Sequence, residues 1–347
     1  MKQSSSIGYL TIIIFSLILS CIEKDRTIQN TTITVNWDNF ITTQNLNSIV
    51  LQNITDSMFI PTQIHISKNL LFVSEKSSDA ILHILNIATG QYLGIHGTRG
   101  AGPGEVLNAW KLFSPDEETI GVFDPELGKA IVYDIDTLLN ENKYSKEYLQ
   151  SGMINSNGVS IVDENIYFLS NMNMPESRIL YYAKTTQGLN LEKKGQLPTL
   201  DKKYPNFQAE EERSVVSHAK LINNDKIFVV SYYNIPMMTI YDIKSAKEIS
   251  IVGPDKFPEP ELFGNIRYYY SSYISKKYIY LLYIENKKEF DYTSSTILVF
   301  DHNGEPVKKL LLDTEIFQLA VYNDSTIYGL VDGTETSDFE VVKFQIE

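Results

Sequence analysis

Six times along the chain an aliphatic and aromatic burst ends in a polar residue: LLFVSE (70–75), TIGVFD (119–124), IYFLSN (166–171), IFVVSY (227–232), IYLLYIE (279–285) and IYGLVD (327–332). They recur at roughly fifty-residue intervals, a period typical of propeller blades and related repeats. Each burst is followed by a second apolar segment, as in AILHILNI or TILVFDH, then by a turn and a further strand, as in DHNGEPVKKLLL with its Asn303-Gly304 tight-turn signal. Another strand precedes each burst, such as PTQIHIS or EIFQLAVY. Four strands, six times, predict an all-β fold: a six-bladed β-propeller of four-stranded antiparallel blades. The sixth copy holds only three strands. The segment LNSIVLQN (46–53) supplies a spare one, so an N-terminal strand is expected to close the last blade and remove two exposed edges.

Composition narrows the partners. A net charge of −13 excludes nucleic acid, whose binding rests on Lys and Arg neutralising phosphates, and disfavours adsorption to anionic lipid. The 22 tyrosines suit half-buried strands, where the ring packs and the hydroxyl stays wet.

The start, MKQSSSIGYLTIIIFSLILSC, has one Lys followed by an apolar run from Ile7 to Leu19, the pattern of a signal peptide. Ile18-Leu19-Ser20-Cys21 resembles the bacterial lipobox, which implies cleavage before Cys21 and lipidation of its sulfur. Cys21 is the only cysteine, so no intramolecular disulfide is possible. The alternative is an uncleaved anchor helix with an incidental thiol. The expected organisation is a lipoprotein signal peptide (1–20), a polar tether (21–45) and the propeller (46–347). Ile22 stands where an Asp would signal inner-membrane retention, so an outer-membrane lipoprotein of the cell envelope is expected, anchored through lipid on Cys21.

The stretch GTRGAGPGE (97–105) raises the question of phosphate binding. It fails the P-loop pattern, because Pro103-Gly104 stand where Lys-Ser/Thr must follow, and it lacks the βαβ setting of a dinucleotide fingerprint. YLGIHGTRGAGPGEV resembles the G-x-G-x-GPGE-F/Y segment of the six-bladed propeller lipoproteins of Bacteroidota, the TolB-like and NHL-like group. IVGPDKFPEPELFG (251–264) looks like a worn second copy. Val106 departs from the usual aromatic. The resemblance implies a fold and a compartment but no reaction. The loop reads as a connector between blades, with Arg99 and Glu105 free to pair with each other, with a neighbouring blade, or with a ligand.

The second strand of each blade ends on the face where propellers usually bind ligands, which places Glu75, Asp124, Asn171, Tyr232, Glu285 and Asp332 near one rim. In blade five Ile284 competes with Glu285 for that position. Glu75, Asp124, Asn171 and Asp332 form a candidate set for a hard cation such as Ca²⁺, of the kind that propeller lactonases use; Arg99, Glu105 and Tyr232 form a candidate ligand rim. The competing reading is that these polar residues only end strands and cap turns. The five histidines show no metal-ligand spacing, no Gly-x-Ser-x-Gly elbow occurs, and His83 reads as packed inside a blade. Glu210-Glu211-Glu212 reads as a solvated loop, and Tyr268-Tyr269-Tyr270 and Trp110 as either core or sugar-stacking aromatics. The function expected is a non-enzymatic binding or scaffold module for a glycan, peptide or envelope protein. The alternative is a metal-dependent hydrolase or lyase working through the acidic ring. A sensor or assembly role by analogy with TolB rests on fold alone.

Overall fold

A computed structural model describes residues 30–76, 79–169, 179–185, 188–195, 197–198, 215–216, 218–245, 247–259, 262, 266–284, 293–333 and 339–347. Three N-terminal strands, β1 (Asn30–Thr34), β2 (Thr42–Leu46) and β3 (Ser48–Val50), precede the first blade. Blade one is β4 (Pro61–Ser67), β5 (Leu70–Glu75), β6 (Leu82–Asn86) and β7 (Tyr92–His96). A two-residue parallel pair, β8 (Thr98–Arg99) with β9 (Glu105–Val106), follows. Blade two is β10 (Lys111–Phe113), β11 (Thr119–Asp124), β12 (Lys129–Asp134) and β13 (Lys146–Leu149); blade three is β14 (Val159–Val162), β15 (Asn165–Leu169), β16 (Ile179–Thr185) and β17 (Gly188–Lys194). Blade four is β18 (Ala219–Asn223), β19 (Ile227–Tyr232), β20 (Met237–Asp242) and β21 (Glu248–Val252). Blade five is β22 (Tyr269–Ile274), β23 (Tyr278–Tyr283), β24 (Ser294–Asp301) and β25 (Pro306–Ile316). Blade six takes β26 (Gln318–Tyr322), β27 (Thr326–Val331) and β28 (Glu340–Gln345) from the C-terminal end, and β3 as its outer strand. The chain is therefore a six-bladed β-propeller, and an N-terminal strand closes it.

The bursts are the second strands of the blades, and their continuous apolar character has a simple cause. Side chains alternate across a strand, and each blade is covered on both faces by a neighbour. In β5, Leu70 and Phe72 pack towards blade two, while Leu71 and Val73 pack towards blade six. In β23, Tyr280 and Leu282 face blade six, while Ile279 and Leu281 face blade four. One apolar cluster fills each of the six seams between blades, so the core is a ring of six wedges.

The stretch expected to be a tether differs from its residue 30 onward. β1 runs parallel to β21 as a fifth strand of blade four, and β2 runs parallel to β25 as a fifth strand of blade five. With β3 on blade six, the N-terminal segment straps three consecutive blades. Val35 and Phe40 anchor it in the seam between blades four and five, where the Phe40 ring meets Phe300 edge-on at 5.3 Å. Trp37 donates from its indole N–H to Asp255 at 2.9 Å. These strands look polar because an outermost strand has one face in solvent: Thr31, Thr32, Thr42 and Thr43 are exposed.

Candidate functional site

Strand direction gives the two faces of the propeller different characters. The second strands end on one face, which also carries the crossings between blades; among the described residues the long one at 97–110 is such a crossing. The opposite face carries mostly tight turns, at 68–69, 163–164, 224–226, 275–277 and 323–325. Left-handed Lys68, Asp163, Glu164, Asn323 and Asp324 make three of these reversals. The one longer connection there holds helix α1 (Ile135–Glu141), capped by Asp134 accepting from Thr137 N at 2.8 Å. Among the exposed large apolar side chains, Phe59 (77 % exposed), Trp110 (48 %), Leu107, Ile154 and Leu262 lie on the crossing face, Ile49, Ile95, Leu149 and Leu191 on outer strands, and Ile41 (92 %) beside the turn-face start of β2.

The glycine-rich loop lies on this face, and the groups turned inward are carbonyls. Lys129, buried at the start of β12, sends its ammonium to the carbonyls of Gly102 at 2.8 Å, Glu105 at 3.2 Å and Ala101 at 3.4 Å. The loop thus cradles a cation from its own chain. Gly104 has φ +73°, and a Cβ there would lie 2.3 Å from the Tyr144 ring, so any other residue would strain the backbone and displace that ring. Arg99 and Glu105 each hold the loop separately. Arg99 donates to the carbonyls of Leu107 at 2.5 Å and Glu75 at 2.7 Å, while the Glu105 carboxylate accepts from Gly102 N at 2.8 Å.

The rim carboxylates are brought to the expected face but not to one another. Asp124 is fully buried, and its carboxylate accepts four backbone N–H groups: Leu107 at 2.7 Å, Glu126 at 2.9 Å, Asn108 at 3.0 Å and Leu127 at 3.2 Å. Glu75 is buried inside blade one, bonded to His83 Nε2 and to Phe59 N, and His83 Nδ1 meets the Tyr92 hydroxyl at 2.8 Å. Burial lowers the His83 pKa, partly offset by Glu75. Tyr232 is core, packed with Tyr167, Ile235 and Met237. Asp332 is exposed beyond the end of β27. Asn171, Glu285 and the run Glu210–Glu212 lie outside the described residues, as does Cys21. Ile284 is buried. Among the described residues, no group of three or more His, Cys, Asp or Glu could hold a metal ion. Asp124 and Glu75 are thus held in two separate hydrogen-bond networks, one at the crossing into blade two and one inside blade one. Tyr268 and Tyr269 are buried core residues, and only Trp110 among the quoted aromatics is strongly exposed.

The basic lining of the central channel was not read from the sequence. The first strands line it, and polar side chains link blade to blade across it. His65 Nε2 meets Ser114 Oγ at 3.0 Å, and the Ser160 hydroxyl meets the Asn223 amide oxygen. Lys111 donates to the carbonyls of Val159 at 2.7 Å and of Leu221; Lys220 donates to Gln318 Oε1 at 2.8 Å and Ser271 Oγ at 3.3 Å. Burial, with Lys220 nearby, pushes Lys111 well below the ordinary lysine pKa, and burial takes Lys220 down to about 8. Burial and the two lysines take His65 down to about 3. A single Lys among the aliphatic and aromatic residues of two first strands, KLF and AKLIN, was the available signal.

A family model described as TolB-like 6-blade propeller-like matches residues 38–324. No curated protein matches the chain. Among solved structures, a Bacteroides fragilis protein named as exported is similar over 92 % of this chain and 100 % of its own, at 13 % identity and a TM-score of 0.56. The β-propeller domain of Cps50 (Swd1) from Myceliophteria thermophila is similar over 83 % of this chain and 97 % of its own, at 11 % identity and 0.47. BamB from Moraxella catarrhalis is similar over 82 % and 71 %, at 12 % identity and 0.38.

Proposed function

The chain belongs to the TolB-like six-bladed propeller family, and from that premise we propose that it is an envelope-anchored binding or scaffold module that engages a partner protein through its crossing face. The observation that carries this reading is the asymmetry of the disc. Tight polar turns and the strap residue Ile41 lie on one face, while the other carries two exposed aromatic rings, Phe59 and Trp110, with Leu107 and Leu262 on its crossings. Exposed aromatic side chains on rigidly held loops are what protein interfaces use as anchors.

The lipobox-like Ile18-Leu19-Ser20-Cys21 supplies the anchor in this proposal, with the outer membrane as its site. The start of β1 limits how far the disc can stand from the membrane. β1 runs parallel to β21, which travels from the turn face to the crossing face, so Asn30 sits at the turn-face end of the rim. Residues 22–29 can span no more than about 30 Å, so a lipid on Cys21 keeps that point of the rim within this distance of the bilayer. Metabolic labelling with a clickable palmitate tests the anchor: the wild-type chain takes up label and Cys21→Ser does not.

The binding face is tested by capture from cross-linked envelopes of the producing cells. The account expects one partner retained by the wild-type chain and by the turn-face variant Lys276→Ser, and lost from Phe59→Ser/Trp110→Ser. Equal capture by all three would remove the crossing face from the proposal, and capture of glycan in place of protein would reassign the partner.

A further inference from the structure

The central channel holds two lysines and a histidine around a cavity of 160 Å³ whose lining contains no carboxylate. Lys111 comes from blade two, Lys220 from blade four and His65 from blade one, with Ser114, Asn223, Ser272 and Tyr273 between them. Both ammonium groups bear on the His65 ring. An ammonium has three donors. The bonds described use two on each lysine, to two carbonyls from Lys111 and to Ser271 and Gln318 from Lys220. Near the cavity, Asp324 is the charged acidic group that bears on Tyr273, and its carboxylate accepts instead from the Tyr280 hydroxyl at 3.0 Å.

This concentration of basic side chains opposes the composition of the whole chain, whose net charge is −13. Burial without a counter-ion disfavours the charged form of both lysines, and an anion in the channel would restore it. We propose that the channel is a binding site for one small oxyanion of phosphate size, held between the Lys111 and Lys220 ammonium groups with the Ser114 and Ser272 hydroxyls and the Asn223 amide as further donors. Oxygen acceptors converging on cations in a low-dielectric pocket give charge-assisted hydrogen bonds, the stronger kind. Phosphate and a free carboxylate share this chemistry, and the room available favours the compact ion over an extended one. The site is independent of the crossing face and of its partner.

The test is calorimetric titration of the full chain at about pH 7 in low-chloride buffer, with inorganic phosphate in one arm and acetate in the other. The expected result is one saturable site for phosphate with a Kd below about 1 mM, weakened at least roughly tenfold in Lys220→Met. Acetate binding more tightly than phosphate would overturn the phosphate assignment. Raising the pH to about 9.5 weakens phosphate binding as Lys220, with its pKa near 8, loses its proton. His65→Gln/Ser114→Ala serves as a second variant should Lys220→Met fail to fold, with binding weakened there as well. No heat and no melting shift with about 10 mM of phosphate or acetate overturns the proposal, as does phosphate binding that survives in both variants unchanged.

Discussion

The Asp124 carboxylate has no capacity left for a ligand, because each oxygen already accepts two backbone N–H groups. Two of those amides, Leu107 and Asn108, belong to the crossing from blade one, so the residue locks blades one and two together. Removing it leaves four buried or half-buried donors unpaired. Asp124→Ala should cost roughly 3 kcal/mol in urea unfolding while leaving the metal content of the protein unchanged. Lys129 is its cationic counterpart. Lys129→Met keeps the volume but deprives three carbonyls of the glycine-rich loop of their donor, and a loss of about 2–3 kcal/mol is expected by the same measurement. His65 sets a pH dependence. Its pKa is about 3 in the fold against 6.5 ordinarily, so the unfolded chain takes up a proton between those values that the native chain does not. Stability is full above 6.5 and falls as the pH drops through that window, by about 1.4 kcal/mol per unit. Between pH 7 and 5 in phosphate-free buffer, His65→Gln should lose about 2 kcal/mol less than the wild-type chain.

At the scale of elements, the strap of β1 to β3 decides how the ring is closed. Gly253 lies where the strap passes blade four, with φ +124°, and a Cβ there would come within 2.0 Å of the Val35 carbonyl oxygen. Gly253→Ala should therefore lift the strap while leaving the blades folded: limited proteolysis cuts near residues 35–41 much faster than in the wild-type chain, with circular dichroism little changed. Protection equal to wild type would mean that the strap contributes no closure. The same elements show what a sequence reveals. The second and third strands were legible because they are buried on both faces and carry unbroken apolar runs, as LLFVSE does. β3 was legible through the missing fourth strand of blade six. β1 and β2 were not, since an edge strand buries only an occasional residue such as Leu46 and exposes its threonines. The positions of Glu75 and Asp124 at strand ends were also legible. Their occupation was not, because it depends on amides and a histidine brought in by tertiary contacts.

Over the whole molecule, six wedge-shaped seams make a rigid disc, and that rigidity separates three regions by role. The rim closes the ring through the strap, the channel gathers basic side chains, and the crossing face presents apolar side chains on loops pinned by Arg99, Glu105, Asp124 and Lys129. A partner that uses the crossing face need not disturb any blade. Site-specific photo-crosslinking in the producing cells tests this most directly, with the photoreactive residue placed in turn at Phe59, Trp110 and Leu262 on the crossing face, and at Asp225, Lys276 and Asn303 on the turn face. The account predicts a common partner adduct from the crossing-face positions and none from the turn face. Adducts from the turn face alone would contradict it.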